Sequence, residues 1–172
     1  MANFGSTFYS LEGLVHKTEQ RLVLPFYHLV SDETPKHVQH LYKARSIERF
    51  KEDLDFLLKH YKSISLQELI TLNKSGKAIT ENCFHITFDD GLKEFYTVVA
   101  PILKERGVHA TVFLNSNFID NKELFFRFKA SIIFEETGNP EVLKLKYSEQ
   151  YVLDRLANEL GVDFNSYLAK HQ

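Results

Sequence analysis

The chain has 172 residues, 44% of them hydrophobic, and a formal net charge of −2. That length holds one domain with a real core rather than two comfortable ones, and that apolar content excludes disorder. Balanced charge gives no polybasic case for nucleic acid or an anionic membrane, a lone cysteine excludes an internal disulfide or a Cys-rich zinc module, and no apolar run nears the ~20 residues of a membrane span.

The start, MANFGSTFYSLEGLVHKTEQR, has no basic segment followed by an apolar one. No secretory leader is expected, and a cytoplasmic location is the default. RLVLPFYHLV, residues 21–30, reads as a buried strand with Pro25 its one awkward member. SDETPKHVQH reads as a loop, with His37 and His40 in a short, mixed, solvated stretch. Ser46 then caps a helix whose apolar positions Ile47, Phe50, Leu54, Leu57 and Leu58 repeat at helical spacing through His60. YKSISL is a short second strand, and Ser65 with Glu68 has the spacing of a capping box for a helix that stops near Gly76.

NCFHITF, residues 82–88, is the third strand, with Cys83 inside it as a small core residue. A helical piece over Phe95, Val98, Val99, Ile102 and Leu103 is interrupted or restarted at Pro101 and stopped by Gly107. VHATVFLN, residues 108–115, is the fourth strand. Only helices are expected after it. One is capped by Asp120 with Glu123 at N3, carries the stripe Leu124, Phe125, Phe128, Ile132 and Ile133, and ends at Gly138 and Pro140. A second runs from Ser148 to Gly161, and a third begins near Asp163 or Asn165. Strands alternating with helices predict an α/β fold with a parallel sheet. The expected organisation is one incomplete domain: an N-terminal segment at 1–20, a βα core at 21–115 and a helical insertion at 116–172.

The chemistry concentrates in ITFDDG. Asp89 and Asp90 follow a strand directly, and the carboxyl ends of parallel strands are where sites collect in βα folds. Two adjacent carboxylates repel, so the pair calls for a cation, a shared proton or open water. Gly91 permits a sharp turn into the next helix, whose N-terminus lowers the cost of negative charge nearby. A division of labour suits the pair, with one carboxylate on a metal and the other taking a proton from a bound water. An N-cap beside an exposed turn acid is the plainer reading of the dipeptide alone, and the buried strand before it with Gly91 after it shifts the balance toward chemistry.

ITFDDG resembles the first motif of the polysaccharide deacetylase family (NodB-homology, carbohydrate esterase type). LPFYHLV is similar to that family's early YH strand, and PILKERGVHATVFLN to its P-x-L-K-x-x-G-x-x-A-T-F-F-L segment, with Val112 where Phe is usual. The resemblance spans roughly residues 22–115. It implies a distorted (β/α) barrel of which this chain holds the first four parallel strands, followed by a helical insertion. It also implies hydrolysis of N-acetyl groups on an amino-sugar polymer or oligomer, with Asp89 as catalytic base, Asp90 as ligand of a divalent metal, most commonly zinc, and His28 and Gly91 lining the site. Cell-envelope association is a second location the resemblance implies.

The family's H-[ST]-x-x-H pair is absent from this sequence, and His37 with His40 lies before the motif rather than after it. The expectation is therefore an N-terminal part of the domain, ending within the insertion and inactive by itself, with an apolar strand edge open to self-association. A non-catalytic remnant or carbohydrate-binding module of the same fold is the alternative. Phosphoryl transfer by an acidic pair and magnesium is a third reading, weakened by the lack of a phosphate cradle.

Overall fold

A parallel ladder needs an N–H from alternate residues of each strand, so one proline is enough to interrupt it. In the computed structural model, which describes residues 20–170, the first strand is divided in this way into β1 (Leu22–Val23) and β2 (Phe26–Tyr27). Leu22 pairs with Cys83 and Val23 with Phe84, and the Cys83 and His85 N–H groups bond the Arg21 and Val23 carbonyls at 2.7 and 3.2 Å. The next donor due on the first strand is residue 25, and Pro25 has no N–H for the His85 carbonyl. Expectations for residues 1–19, an N-terminal segment without a leader, fall outside the described residues.

The four expected strands are thus six short pieces. After α1 (Lys36–Gln39) and α2 (Ile47–His60) come β3 (Lys62–Ser63), α3 (Leu66–Ser75), β4 (Cys83–Phe84) and β5 (Ile86–Phe88). A π-helical segment, Phe95–Val99, leads into α4 (Ala100–Arg106), and β6 (Ala110–Val112) follows. The pieces form two three-stranded sheets, β1-β4-β3 and β2-β5-β6, and every strand pairing is parallel. The architecture is α/β, as the alternation of patterns requires.

Local signals set the helix ends. Ser46 accepts the Arg49 N–H, and Ser65 and Glu68 close the capping box. The helix after the acidic pair widens where Pro101 denies it an N–H: Ala100 reaches back five residues to the Phe95 carbonyl, a π turn that absorbs the missing bond.

Phe50, Leu54, Phe84, Ile86 and Phe88 are almost wholly buried where α2 and α4 pack on the central strand. Each such side chain contributes about 1.5–3 kcal/mol of burial. His85 is buried among them without being a ligand candidate. Its Nδ1–H donates to the Ile64 carbonyl at 2.8 Å, and Nε2 receives the Thr111 hydroxyl at 2.9 Å. One side chain of the central strand thereby ties the end of β3 to β6.

Two expectations are corrected. The loop at residues 31–40 contains α1, and His37 and His40 are engaged rather than solvated. The Ser131 hydroxyl donates to the Lys36 carbonyl at 2.6 Å and accepts the His40 N–H at 3.3 Å, while His40 Nε2 meets Glu135 at 2.7 Å. His37 Nδ1 pairs with the Tyr167 hydroxyl at 3.0 Å. A single turn of helix is stable here because another helix satisfies its end groups.

Asp120 does not cap a helix, nor is Glu123 at N3. Residues Ser116–Asn121 form a kinked 3-10 segment with Asp120 at φ 61°, and α5 (Phe126–Thr137) begins only after an extended Phe125. A cap contributes about 1 kcal/mol. Burying Leu124 and packing Phe125 against Phe118 and Phe128 contributes more, and the first turn yields. Nor is α5 amphipathic. Phe126, Ala130 and Ile133 pack on α6 (Gln150–Leu160), whereas Phe128 and Ile132 pack with Leu29 and Val38 near the first strand's exit. Lys129, buried between them, is neutralised by Asp154 at 2.8 Å. The last helix, α7 (Phe164–Lys170), starts after Asp163, whose carboxylate accepts the Asn165 N–H. Among the described residues no helix is long and apolar enough to cross a membrane.

Candidate functional site

Pairing of β2 with β5 brings two strand ends level. Tyr27 lies opposite Phe88, and the Asp89 N–H bonds the Tyr27 carbonyl at 3.0 Å, so the next side chains along, His28 and Asp89, leave the sheet together. His28 Nε2 stands 3.8 Å from Asp89 Oδ2, with the two side chains 33% and 39% exposed. That is enough burial to orient them and enough exposure to meet a solute. The anchoring is aromatic: Tyr27 stacks on Phe88 at 5.5 Å, and its hydroxyl donates to Asp53, which Arg45 grips through two nitrogens.

The backbone then reverses within three residues. The Gly91 N–H bonds the Asp89 carbonyl at 2.9 Å across Asp90, which sits at φ 70°. A positive φ at a non-glycine residue is strained, and such strain persists only where its surroundings enforce it. Gly91 follows at φ 67°, and a Cβ there would run into the Leu114 side chain. The turn throws Asp90 to the other side of the reversal, where burial raises its carboxyl above the usual range. Nearby His28 opposes that shift and Asp89 adds to it. Both acids are partly buried, Asp89 beside His28 and Asp90 within the turn.

Phe113, Leu114, Asn115 and Ser116, beyond β6, complete a mouth around His28, Asp89 and Asp90. His28, Asp89 and Asp90 line this mouth while Gly91 lines a neighbouring cavity, and nothing in the sequence pointed to Tyr42. Its ring lies 4.9 Å from that of His28, and its buried hydroxyl has no hydrogen-bond partner among the described residues. Burial and the charges of Asp90 and Glu94 push its phenol upward. No motif marks Tyr42, which reaches the site only because α1 and its exit fold back.

Residues 76–152 match the polysaccharide deacetylase family model. Over that stretch the chain resembles part of a polysaccharide deacetylase domain. YxkH, a Bacillus subtilis protein assigned as a polysaccharide deacetylase, is 34% identical over 62 residues, which are 36% of this chain and 22% of that protein. A Streptococcus pyogenes deacetylase solved with acetate superposes with a TM-score of 0.51 at 20% identity, covering 80% of this chain and 69% of its own. IcaB from Ammonifex degensii gives the same score and identity over 67% of this chain and 49% of its own. These two likenesses establish a shared fold. The chain spans about a fifth of its Bacillus relative, and the stretch matched by the deacetylase model runs from the end of α3 into α6, including the ITFDDG turn.

Among the described residues no three His, Cys, Asp or Glu side chains come together as a metal-holding group. His37 and His40 are turned to Tyr167 and Glu135, and His85 is spent within the sheet. A tetrahedral zinc site needs several ligands in preset positions. The donor set on residues 20–170 does not fit one.

Proposed function

We propose that this domain belongs to the machinery that hydrolyses N-acetyl groups on an amino-sugar polymer or oligomer. The observation that carries the reading is the pairing of His28 with Asp89 at the strand end, beside the strained Asp90 turn. Its six strand pieces are read as the opening of a distorted (β/α) barrel. Asp89, beside His28 at the strand end, is the catalytic base: it takes a proton from the attacking water as the oxygen adds to the acetamide carbon. Collapse of the tetrahedral adduct breaks the C–N bond, giving acetate and an amine that takes up the proton. His28 stands beside the Asp89 carboxylate in the mouth. Asp90 is assigned as one ligand of a divalent metal, zinc first among them. The further ligands such a site needs have no counterpart on residues 20–170, so by itself this chain is expected to bind zinc weakly and turn nothing over.

The test is acetate release from N-acetylglucosamine oligomers, by the 172-residue chain and by any longer product of the same reading frame, each with and without Asp89→Asn. The longer form should lose ~10²–10⁴-fold of its rate on that substitution. Full activity of the Asp89→Asn form would overturn the assignment of the base. Stoichiometric zinc retained by the 172-residue chain through dialysis, with turnover, would overturn the incomplete-site reading. Among the described residues no three-donor group forms, which favours one alternative, a non-catalytic module that binds carbohydrate. Unaltered oligosaccharide binding by Asp89→Asn and Asp90→Asn forms, with no acetate from any form, would select it.

A further inference from the structure

Asp90, Leu114 and Asn115 form a wall with a cavity on each side. One side is the mouth that holds His28 and Asp89. The other is a space of about 290 Å³ closed by the Ser116–Asn121 segment, the start of α5 and α7. It lies at the small end of the range for small-molecule sites, the size of a single ring rather than an oligomer.

Its lining has two parts. Phe118 and Tyr167 supply aromatic surface with buried Phe128 behind them, and the His37 N–H donates to the Tyr167 hydroxyl at 3.3 Å. Glu94 and Glu123 join Asp90 around the same space, and among the described residues Lys93 and His37 stand with them in the lining. Aromatic faces take the C–H side of a sugar ring. A carboxylate surplus in a part-enclosed cavity attracts a cation, does nothing specific for a neutral acetamide and repels an anion.

We propose that this second cavity binds an amino-sugar residue bearing a free ammonium, adjacent in the glycan to the residue being deacetylated. The proposal rests on the function proposed above for the identity of the glycan. Hydrolysis at the mouth turns a neutral acetamide into an ammonium, and a one-residue shift of the chain over Leu114 and Asn115 carries that charge into the cavity. The domain would then hold its own product and favour partly deacetylated stretches.

The probes are the trisaccharides of glucosamine and of N-acetylglucosamine, titrated into the 172-residue chain and followed by amide chemical shifts. Glucosamine trisaccharide should perturb Phe118, Glu123 and Tyr167 and bind about tenfold more tightly than the acetylated one at low salt, a gap of about 1.4 kcal/mol. The gap should close in about 0.5 M salt and in a Glu94→Gln/Glu123→Gln double variant that melts like the parent. Equal or tighter binding of the acetylated sugar at these residues, or a double variant that binds glucosamine unchanged, would overturn the proposal. Shifts at His28 and Asp89 with a silent cavity would overturn it while leaving the deacetylase reading intact. A responsive cavity with no acetylated sugar at the mouth would support the cavity and leave the deacetylase reading to the acetate-release test.

Discussion

His28 and Asp89 sit on neighbouring parallel strands 61 residues apart in sequence, with Nε2 and Oδ2 at 3.8 Å and each side chain about one-third exposed. At that separation and exposure their mutual stabilisation is under about 1 kcal/mol. A double-mutant cycle of His28→Ala and Asp89→Ala in urea should return a coupling within that bound, fading in about 0.5 M salt. A larger, salt-insensitive coupling would mean that the pair holds the fold together rather than standing ready for chemistry.

Asp90 should make the protein less stable as pH rises. Its folded carboxyl titrates above the ordinary value of 3.8, chiefly through burial. Between those two values the native state holds a proton that the unfolded chain has released, so stability falls with increasing pH through that window. Asp90→Asn should therefore raise the urea midpoint at pH 7, with the pH-dependent part of the gain vanishing below 3.8. Asn also tolerates the positive φ better, which adds a pH-independent share. Denaturation at stepped pH separates the two.

Gly91→Ala should cost about 1–2 kcal/mol for the left-handed backbone alone. The Leu114 side chain must also move, since it occupies the space of the new Cβ. Leu114 is part of the wall between the two cavities, so amide shifts should spread to Asn115 and Phe118. Changes confined to residues 90–92 would show that the wall is not coupled to the turn.

The Tyr42 hydroxyl is buried without a partner, an arrangement that costs about 1–3 kcal/mol. Tyr42→Phe should raise stability by about 1 kcal/mol while leaving the His28 ring contact in place. A loss of stability instead, in thermal melts, would show that an ordered water or other group satisfies that oxygen.

Sheet edges give a further expectation. Beyond β6, Phe113 and Leu114 are 58% and 63% exposed, and Phe26 on the opposite edge is 67% exposed. Exposed apolar residues along unpaired backbone invite strand addition by another copy. The isolated chain should scatter light increasingly with concentration and bind a hydrophobic dye. A monodisperse monomer without dye binding would show these edges to be adequately covered.

What the sequence made legible was local. Ser46, the Ser65–Glu68 box, and the stops at Gly76, Gly107, Gly138 and Gly161 act within one turn of the chain, and each ends a helix as its chemistry requires. Pro25 was visible as an anomaly, and its effect on His85 follows once the register is known. Asp120 misled because a good cap was outweighed by aromatic burial around Phe125. The α1 turn was invisible because the hydroxyl that secures it, Ser131, lies 95 residues beyond Lys36. Asp89, Asp90 and His28 could be placed by their position at strand ends. Tyr42 could not, since only tertiary packing brings it there.

One helix has a practical consequence for anyone dissecting this protein. Because α5 is packed on both flanks, with Phe128 and Ile132 against Leu29 and Val38, the stretch beyond Asn115 is not a detachable ornament. A chain trimmed there would lay bare the side chains just after His28 and release the loop that carries it. Trimming from the end can therefore damage the mouth without touching a single residue in it, so loss of function in such deletions says nothing about where the chemistry resides.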